Sequence, residues 1–415
     1  MDRRKFIKTG GILTSIAVAG PVFSGKPGLT APSNPLFRNL HDKIRPVSAE
    51  EYTGRVEEAR KHLQESGLDM ILMEGGTSMN YFSGISWGRS ERLFALVITR
   101  KGDPFIIAPK FEEGRAMEQA GKFKLYTWEE HESPYELIGK CLKERALLTA
   151  RIGIEESSRF FVTEGIQKAI PSLQIHSALP VTAGCRSIKS AHEIELMQTA
   201  NEFTRLVFTD SVRDLKEGMS EAEFGKIISD RFTQAGVAGG ALVLFGEASA
   251  YPHGLKKDHK LKEGDVVLID GGCSVEGYES DVTRTTVYGK AGDKVKKVWD
   301  IVLKAQAAAL KAAHPGVEAE AVDAAARNYI NNSGYGPGYK YFTHRLGHGI
   351  GMDGHEWYYL VGGNKRLLLN GNMFSNEPGI YLIGEFGIRI EDEMLITGDG
   401  ARLLLPPPPS IEVLF

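Results

Sequence analysis

Apolar positions along the chain change period several times, and each change marks an element. Tyr52, Val56, Ala59 and Leu63 recur at helical spacing until Gly67 interrupts them, which predicts a helix. Residues 70–73 form a short apolar run. FALVITRKGDPFIIAPK then holds two apolar stretches joined by a Lys-Gly-Asp-Pro turn, and ARIGIEE, with Ile152 and Ile154, predicts a further strand. Helical period returns over residues 188–214, with Ile194, Met197, Ala200 and Phe203 on one stripe. Ser220 and Glu223 make a capping box ahead of Phe224 and Ile227. A second long helix is predicted over residues 293–313, cut from its successor by Pro315-Gly316, while VVLID, VTRTTVYG, MFSNEPGIYL and FGIRIEDEMLIT read as strands. Helices and antiparallel strands alternate irregularly in this half, which favours α+β over a doubly wound parallel sheet.

Length divides this pattern. The 415 residues exceed one comfortable core, so an α/β domain over residues 46–180 and a second domain over 182–405 are expected. Residues 24–45, rich in Pro, Gly, Ser and Asn, read as a flexible segment, and residues 406–415 as an extended, peripheral tail. At the start, Arg3, Arg4, Lys5 and Lys8 surround Phe6 ahead of a weakly apolar run carrying four glycines or prolines over residues 10–23. That run is too short for a stable membrane span of about 20 residues. Residues 1–23 therefore read as a signal for the twin-arginine export machinery, with Ala17-Val18-Ala19 as a cleavage point, which directs the protein to the periplasm or beyond, or leaves it on an uncleaved tether.

Charge and cysteine content exclude more than they assign. Formal net charge is −3, and removal of residues 1–19 takes away four basic and one acidic side chains to leave −6. A mildly acidic body without a basic stripe argues against nucleic acid. Cys141, Cys185 and Cys273 make no disulfide framework.

The chemistry concentrates late in the chain. Asp270 ends an apolar strand in VVLIDGGCSVEGYESDVTRTT, and Asp281 follows 11 positions later across a run of turn formers, so a hairpin returns the second acid beside the first. His348 lies between glycines in HRLGHGIGMDGHE, with His344 and His355 nearby; Glu377 lies in NEPGIY and Glu391 in IRIEDE. Strand alternation puts Arg389, Glu391 and Glu393 on one face, where at least two of the charges need partners. Four acids in one pocket repel unless cations lie between them, and two divalent ions supply +4 against −4 while a neutral histidine ligates. Donors that are mostly hard oxygens, with one nitrogen and no sulfur, favour manganese ahead of iron, cobalt or zinc. Cys273 reads as a buried small side chain pointing away from Asp270.

Through D-G-G-C-x-x-E-G-Y-x-S-D-V-T-R-T, H-R-L-G-H-G-I-G-M-D-G-H-E, N-E-P-G-I-Y and R-I-E-D, the chain resembles the M24 metallopeptidases of the pita-bread fold. These include methionine aminopeptidase, aminopeptidase P and prolidase, with creatinase as a metal-free cousin. The match is to the branch of Xaa-Pro dipeptidases and aminopeptidase P, and it implies a creatinase-type domain upstream. The resemblance implies that Asp270, Asp281, His348, Glu377 and Glu391 bind two divalent ions, Asp281 and Glu391 bridging them, with a water or hydroxide between as nucleophile. It further implies that Glu377 accepts the proton, that His253 in SAYPHG and His355 touch the substrate amide, and that His344 lines the pocket. Arg389 is implied as an orienting or carboxylate-binding group.

The substrate so implied is a small peptide with proline second, and the assembly a homodimer in which Trp87 can reach a partner's pocket. Residues 335–342, Trp357 and Tyr358 are candidate apolar walls. Asn376 and Gly354 are less usual choices beside the ligands and leave substrate preference more open than catalysis. Alternatives are a relative that keeps the metal cage for carbon–sulfur lysis or small-amide hydrolysis, and a binding protein on a retired enzyme fold.

Overall fold

The computed structural model describes residues 35–121 and 123–415; the predicted export signal lies outside them. The segment expected to be flexible through residue 45 is helical over Pro35–His41, where Leu40 is buried and Phe37 stacks on Phe203 at 6.1 Å. Proline at the first helical position and apolar groups on one side account for that helix.

The first domain is built on a six-stranded sheet, in spatial order Lys124–Trp128, Phe105–Pro109, Ala95–Thr99, Met70–Glu74, Arg151–Ile154, Gln174–Ser177. Its three central strands are buried at every position, which is why they read as unbroken apolar runs. One face is covered by the helix Ala49–Glu65, whose capping box joins Ser48 and Glu51. The helix Leu179–Arg186 packs beside it and ends the domain.

The second domain has two layers of sheet, each with its own helix pair. The antiparallel strands Ala238–Phe245, Val266–Val275 and Val282–Val287 lie under the helices Ala191–Ser211 and Glu221–Gln234, both opened by capping boxes. The predicted stripe is there: Met197, Ala200 and Phe203 are fully buried, and Phe203 alone is worth roughly 1.5–3 kcal/mol. The second layer orders Glu356–Leu360, Gly347–Gly349, Met373–Asn376, Asp392–Thr397 and Gly400–Leu403, backed by the helices Asp293–Ala312 and Ala319–Asn332. This is the α+β architecture expected, preceded by the smaller α/β domain. Among the described residues no helix is long and apolar enough to cross a membrane.

Two predicted strands are broken, and both breaks serve the site. MFSNEPGIYL divides into Met373–Asn376 and Gly379–Leu382 around Glu377-Pro378, because proline cannot continue the ladder. FGIRIEDEMLIT divides into Phe386–Arg389 and Asp392–Thr397, since the Glu391 N–H turns to the Thr283 carbonyl at 3.1 Å. The tail is not peripheral. Arg284, fully buried, donates to Asp392 Oδ1 at 2.6 Å and to the carbonyls of Glu391 at 2.7 Å and Leu414 at 2.8 Å, and its guanidinium lies 4.3 Å from the Phe415 ring. Ile411 and Leu414 are buried with it.

Candidate metal centre

Asp270 falls within a strand rather than at its end, because Val266–Val275 continues through the glycine pair. Its cross-strand partner is Thr283, so Asp281 arrives beside it at the mouth of the returning strand. Thr283 Oγ1 lies 2.9 Å from Asp270 Oδ1 and 2.6 Å from Glu391 Oε2, and it also accepts from Arg389 Nε at 3.1 Å. One hydroxyl proton cannot satisfy both carboxylates.

His348 sits in the short Gly347–Gly349 strand, where the backbones crowd: a Cβ on Gly349 would fall 2.4 Å from the Trp357 carbonyl. The His348 Nδ1 lies 3.0 Å from the Gly349 carbonyl, which holds its proton there and leaves the Nε2 lone pair facing Glu377 Oε1 at 3.3 Å and Asp281 Oδ2 at 3.8 Å. Burial, then His355, push its pKa down to about 3, so the ring is neutral at physiological pH. Ser375 Oγ donates to Glu377 Oε1 at 3.1 Å.

The donors gather in overlapping sets. Asp270, Asp281 and Glu391 form one and His348, Glu377 and Glu391 another, with one donor atom of each residue within 4.8 Å of the others; Asp281, His348 and His355 form a third. At such a separation two carboxylates repel by about 3.5 kcal/mol in an effective dielectric of about 20. Burial first, and then neighbouring acids, raise the carboxyls of Asp281, Glu377 and Glu391 well above the usual range, although Asp281 and Glu377 keep 22% and 15% of their side-chain surface open. Crowded oxygens, an underserved pair of carboxylates and a neutral imidazole aimed among them fit divalent cations.

Arg389 is buried at the floor. It donates to Asp270 Oδ2 at 2.5 Å, to Tyr381 Oη at 2.9 Å and to the Pro252 carbonyl at 3.3 Å, so its guanidinium is engaged with protein on every side. Tyr381 in turn donates to His344 Nε2 at 2.8 Å, while the His344 Nδ1 proton faces the Arg345 carbonyl at 2.8 Å. Burial and Arg389 push His344 down to about 3. The motifs assign no role to Tyr381; its signal in the sequence is a tyrosine within NEPGIY, on a buried strand that must satisfy its hydroxyl. His253 and His355 are exposed at the rim, and His253 is near enough to His344 and His355 to disfavour their protonation.

The chain's own fold does not bring Trp87 into this group. It is buried in the first domain, stacked on Phe94 at 4.0 Å and covered by the Arg115 guanidinium at 4.2 Å. Tyr358 also faces elsewhere, into a cavity of about 950 Å³ between the domains that contains none of the five acidic and histidine donors. Phe342 is fully buried rather than a pocket wall. Cys273 is buried as expected, its thiol 3.3 Å from the Ala200 carbonyl and pushed up to about 12 by burial.

Comparison with known proteins supplies the family. Residues 195–398 match metallopeptidase family M24, and residues 55–188 match the creatinase/prolidase N-terminal domain. A putative dipeptidase, YkvY of Bacillus subtilis, is 34% identical over 364 residues, covering 87% of this chain and 99% of its own. The chain belongs to metallopeptidase family M24. Solved relatives of this M24 metallopeptidase include dipeptidase PepE from Mycobacterium ulcerans, with TM-score 0.83 and 32% identity over 89% of this chain and all of that one. A prolidase from Thermococcus sibiricus gives 0.79 and 33% over 87% and 98%. M24 metallopeptidases use divalent metals, and the donor sets above supply candidate ligands here.

Proposed function

We propose that the enzyme hydrolyses short peptides at Xaa-Pro bonds with two divalent cations, manganese ahead of iron, cobalt or zinc, held by Asp270, Asp281, His348, Glu377 and Glu391. The observation that carries this reading is the crowding of Asp270, Asp281, His348, Glu377 and Glu391 into overlapping donor sets, which would hold more than one divalent cation. When bound, such ions supply Lewis acidity and lower the pKa of water, the activation that amide hydrolysis needs at neutral pH.

The remaining work belongs to the chain. Glu377, 3.3 Å from His348 Nε2 and held by the Ser375 hydroxyl, accepts a proton from the attacking water and delivers it to the leaving nitrogen. His253 and His355, open to the pocket, donate to the scissile carbonyl as negative charge grows on its oxygen. Arg389 orients Asp270, and Tyr381 holds His344 neutral at the pocket wall. Relatives described as a dipeptidase and a prolidase support a small substrate, and proline, lacking an amide hydrogen, asks for no acceptor at the second position. A homodimer, with Trp87 near a partner's pocket, and export by the twin-arginine route belong to the same reading.

A panel of Xaa-Pro dipeptides, Xaa-Pro tripeptides and alanine-containing controls, each with manganese, iron, cobalt or zinc, tests it. Preferential cleavage of the proline peptides is expected. Equal or faster turnover of the alanine controls would remove the Xaa-Pro assignment.

A further inference from the structure

His355 stands on a loop that the second domain does not hold alone. Residues 350–355 join the Gly347–Gly349 and Glu356–Leu360 strands and wrap around the carboxylate of Glu356, which is 3% exposed. Glu356 Oε1 accepts the backbone N–H groups of Met352 at 3.0 Å and Asp353 at 3.2 Å. Its charge is answered from outside the loop: Arg186 donates to Oε1 at 2.5 Å and Lys189 to Oε2 at 3.0 Å. These cations hold the Glu356 carboxyl down at about 2 despite complete burial. Gly351 is pressed against the same group, since a Cβ there would fall 2.8 Å from both Glu356 Oε2 and Lys189 Nζ. The loop therefore cannot move without disturbing a buried ion triad.

Arg186 is the last residue of the Leu179–Arg186 helix, which packs in the first domain. Besides Glu356 it reaches Asp353 Oδ2 at 2.7 Å and Ser78 at 3.0 Å, and Thr77 of the same domain donates to Asp353 Oδ1 at 2.6 Å. Asp353 is thus gripped on both oxygens by the first domain, two residues before His355. The His355 ring stacks on His348 with centroids 3.7 Å apart and planes 18° apart and has Arg345 Nη2 3.5 Å from its Nδ1, while its backbone is carried by this loop.

We propose that Thr77 and Arg186 are positioning residues: through Asp353 and Glu356, the first domain fixes where His355 meets the substrate. The proposal rests on the assignment of His355 to the substrate carbonyl. A reacting group displaced by about 1 Å can lose up to about a hundredfold in rate, so loosening this grip lowers kcat while the metal ligands stay in place.

The test is a double-mutant cycle in the full-length, metal-loaded enzyme, with metal content and unfolding midpoint measured on every variant. Thr77→Val removes one hydroxyl and leaves the ion triad intact; Arg186→Lys keeps a charge but loses the forked contact, as a second variant. Thr77→Val is expected to lower kcat about tenfold or more at unchanged metal content. It should have no further effect when His355→Ala is already present, and Thr77→Ser should restore the rate. Wild-type kcat in both Thr77→Val and Arg186→Lys, or losses just as large in the His355→Ala background, would overturn the proposal while leaving the role of His355 standing. Full activity in His355→Ala itself would remove that role and the proposal together.

Discussion

Removing the metal should invert the pH dependence of stability. Asp281, Glu377 and Glu391 are each raised well above ordinary carboxylate values, by burial first and neighbouring acids second, so the metal-free native site keeps protons that the unfolded chain has released. At about pH 4 and below, both states bind these protons and the difference vanishes. Above that, each proton held only by the native state lowers unfolding free energy by about 1.4 kcal/mol per pH unit as pH rises, until pH passes the native pKa. One such proton corresponds to a fall of roughly 3–6 °C in Tm per pH unit for a domain of this size. With divalent ions bound, cations take the place of the protons and the carboxylates ionise, so this decline disappears or reverses. Glu393, raised to about 8 by burial, adds a decline of the same sign to the metal-free curve. The measurement is Tm against pH from about 5 to about 8 for chelated and reloaded protein, with metal content assayed at each point. Parallel curves, or a chelated protein that gains stability with pH, would refute the electrostatic account of the site.

Asp281→Asn should abolish detectable hydrolysis and lower metal affinity at least about tenfold, read by elemental analysis after dialysis. Arg389→Lys should reduce kcat and metal retention alike for dipeptides and tripeptides, because the guanidinium is spent on Asp270 and Tyr381; a selective rise in KM for dipeptides would instead mark a carboxylate-binding group. Arg284→Gln, which leaves Asp392 buried and unpaired, should lower stability by about 3–5 kcal/mol in denaturant titration. The Cys273 thiol, buried and raised to about 12, should resist a thiol reagent in the native protein and react once it is unfolded.

Periodicity made the helices readable: the stripe through Met197, Ala200 and Phe203 and the box of Ser220 with Glu223 are local signals, and both appear. The donors were readable too, because chemistry forces acids and a histidine into motifs. Long-range pairing left less trace. The paired glycines of Ala238–Phe245 hide a strand, and no alternation warns that Glu391 leaves its strand to bond Thr283. Arg284 reads as an ordinary strand residue, yet it bonds Asp392 and Leu414, 108 and 130 positions away in sequence. The resemblance, not any local pattern, points Trp87 toward a partner's pocket, and its stacking between Phe94 and Arg115 within its own chain leaves no trace in the sequence. The grip of Arg186 and Thr77 on Asp353 carries no local signature, since its partners are 167 and 276 residues away.

The contacts of Arg284 bear on what the tail does. A guanidinium enclosed by Glu391, Asp392, Pro406, Leu414 and the Phe415 ring has no neutral form to adopt. Cutting the tail ahead of Leu414 would take one carbonyl acceptor and the aromatic ring from this charge while Asp392 and the Glu391 carbonyl still hold it, so the last residues set how firmly the layer bearing the acids is closed.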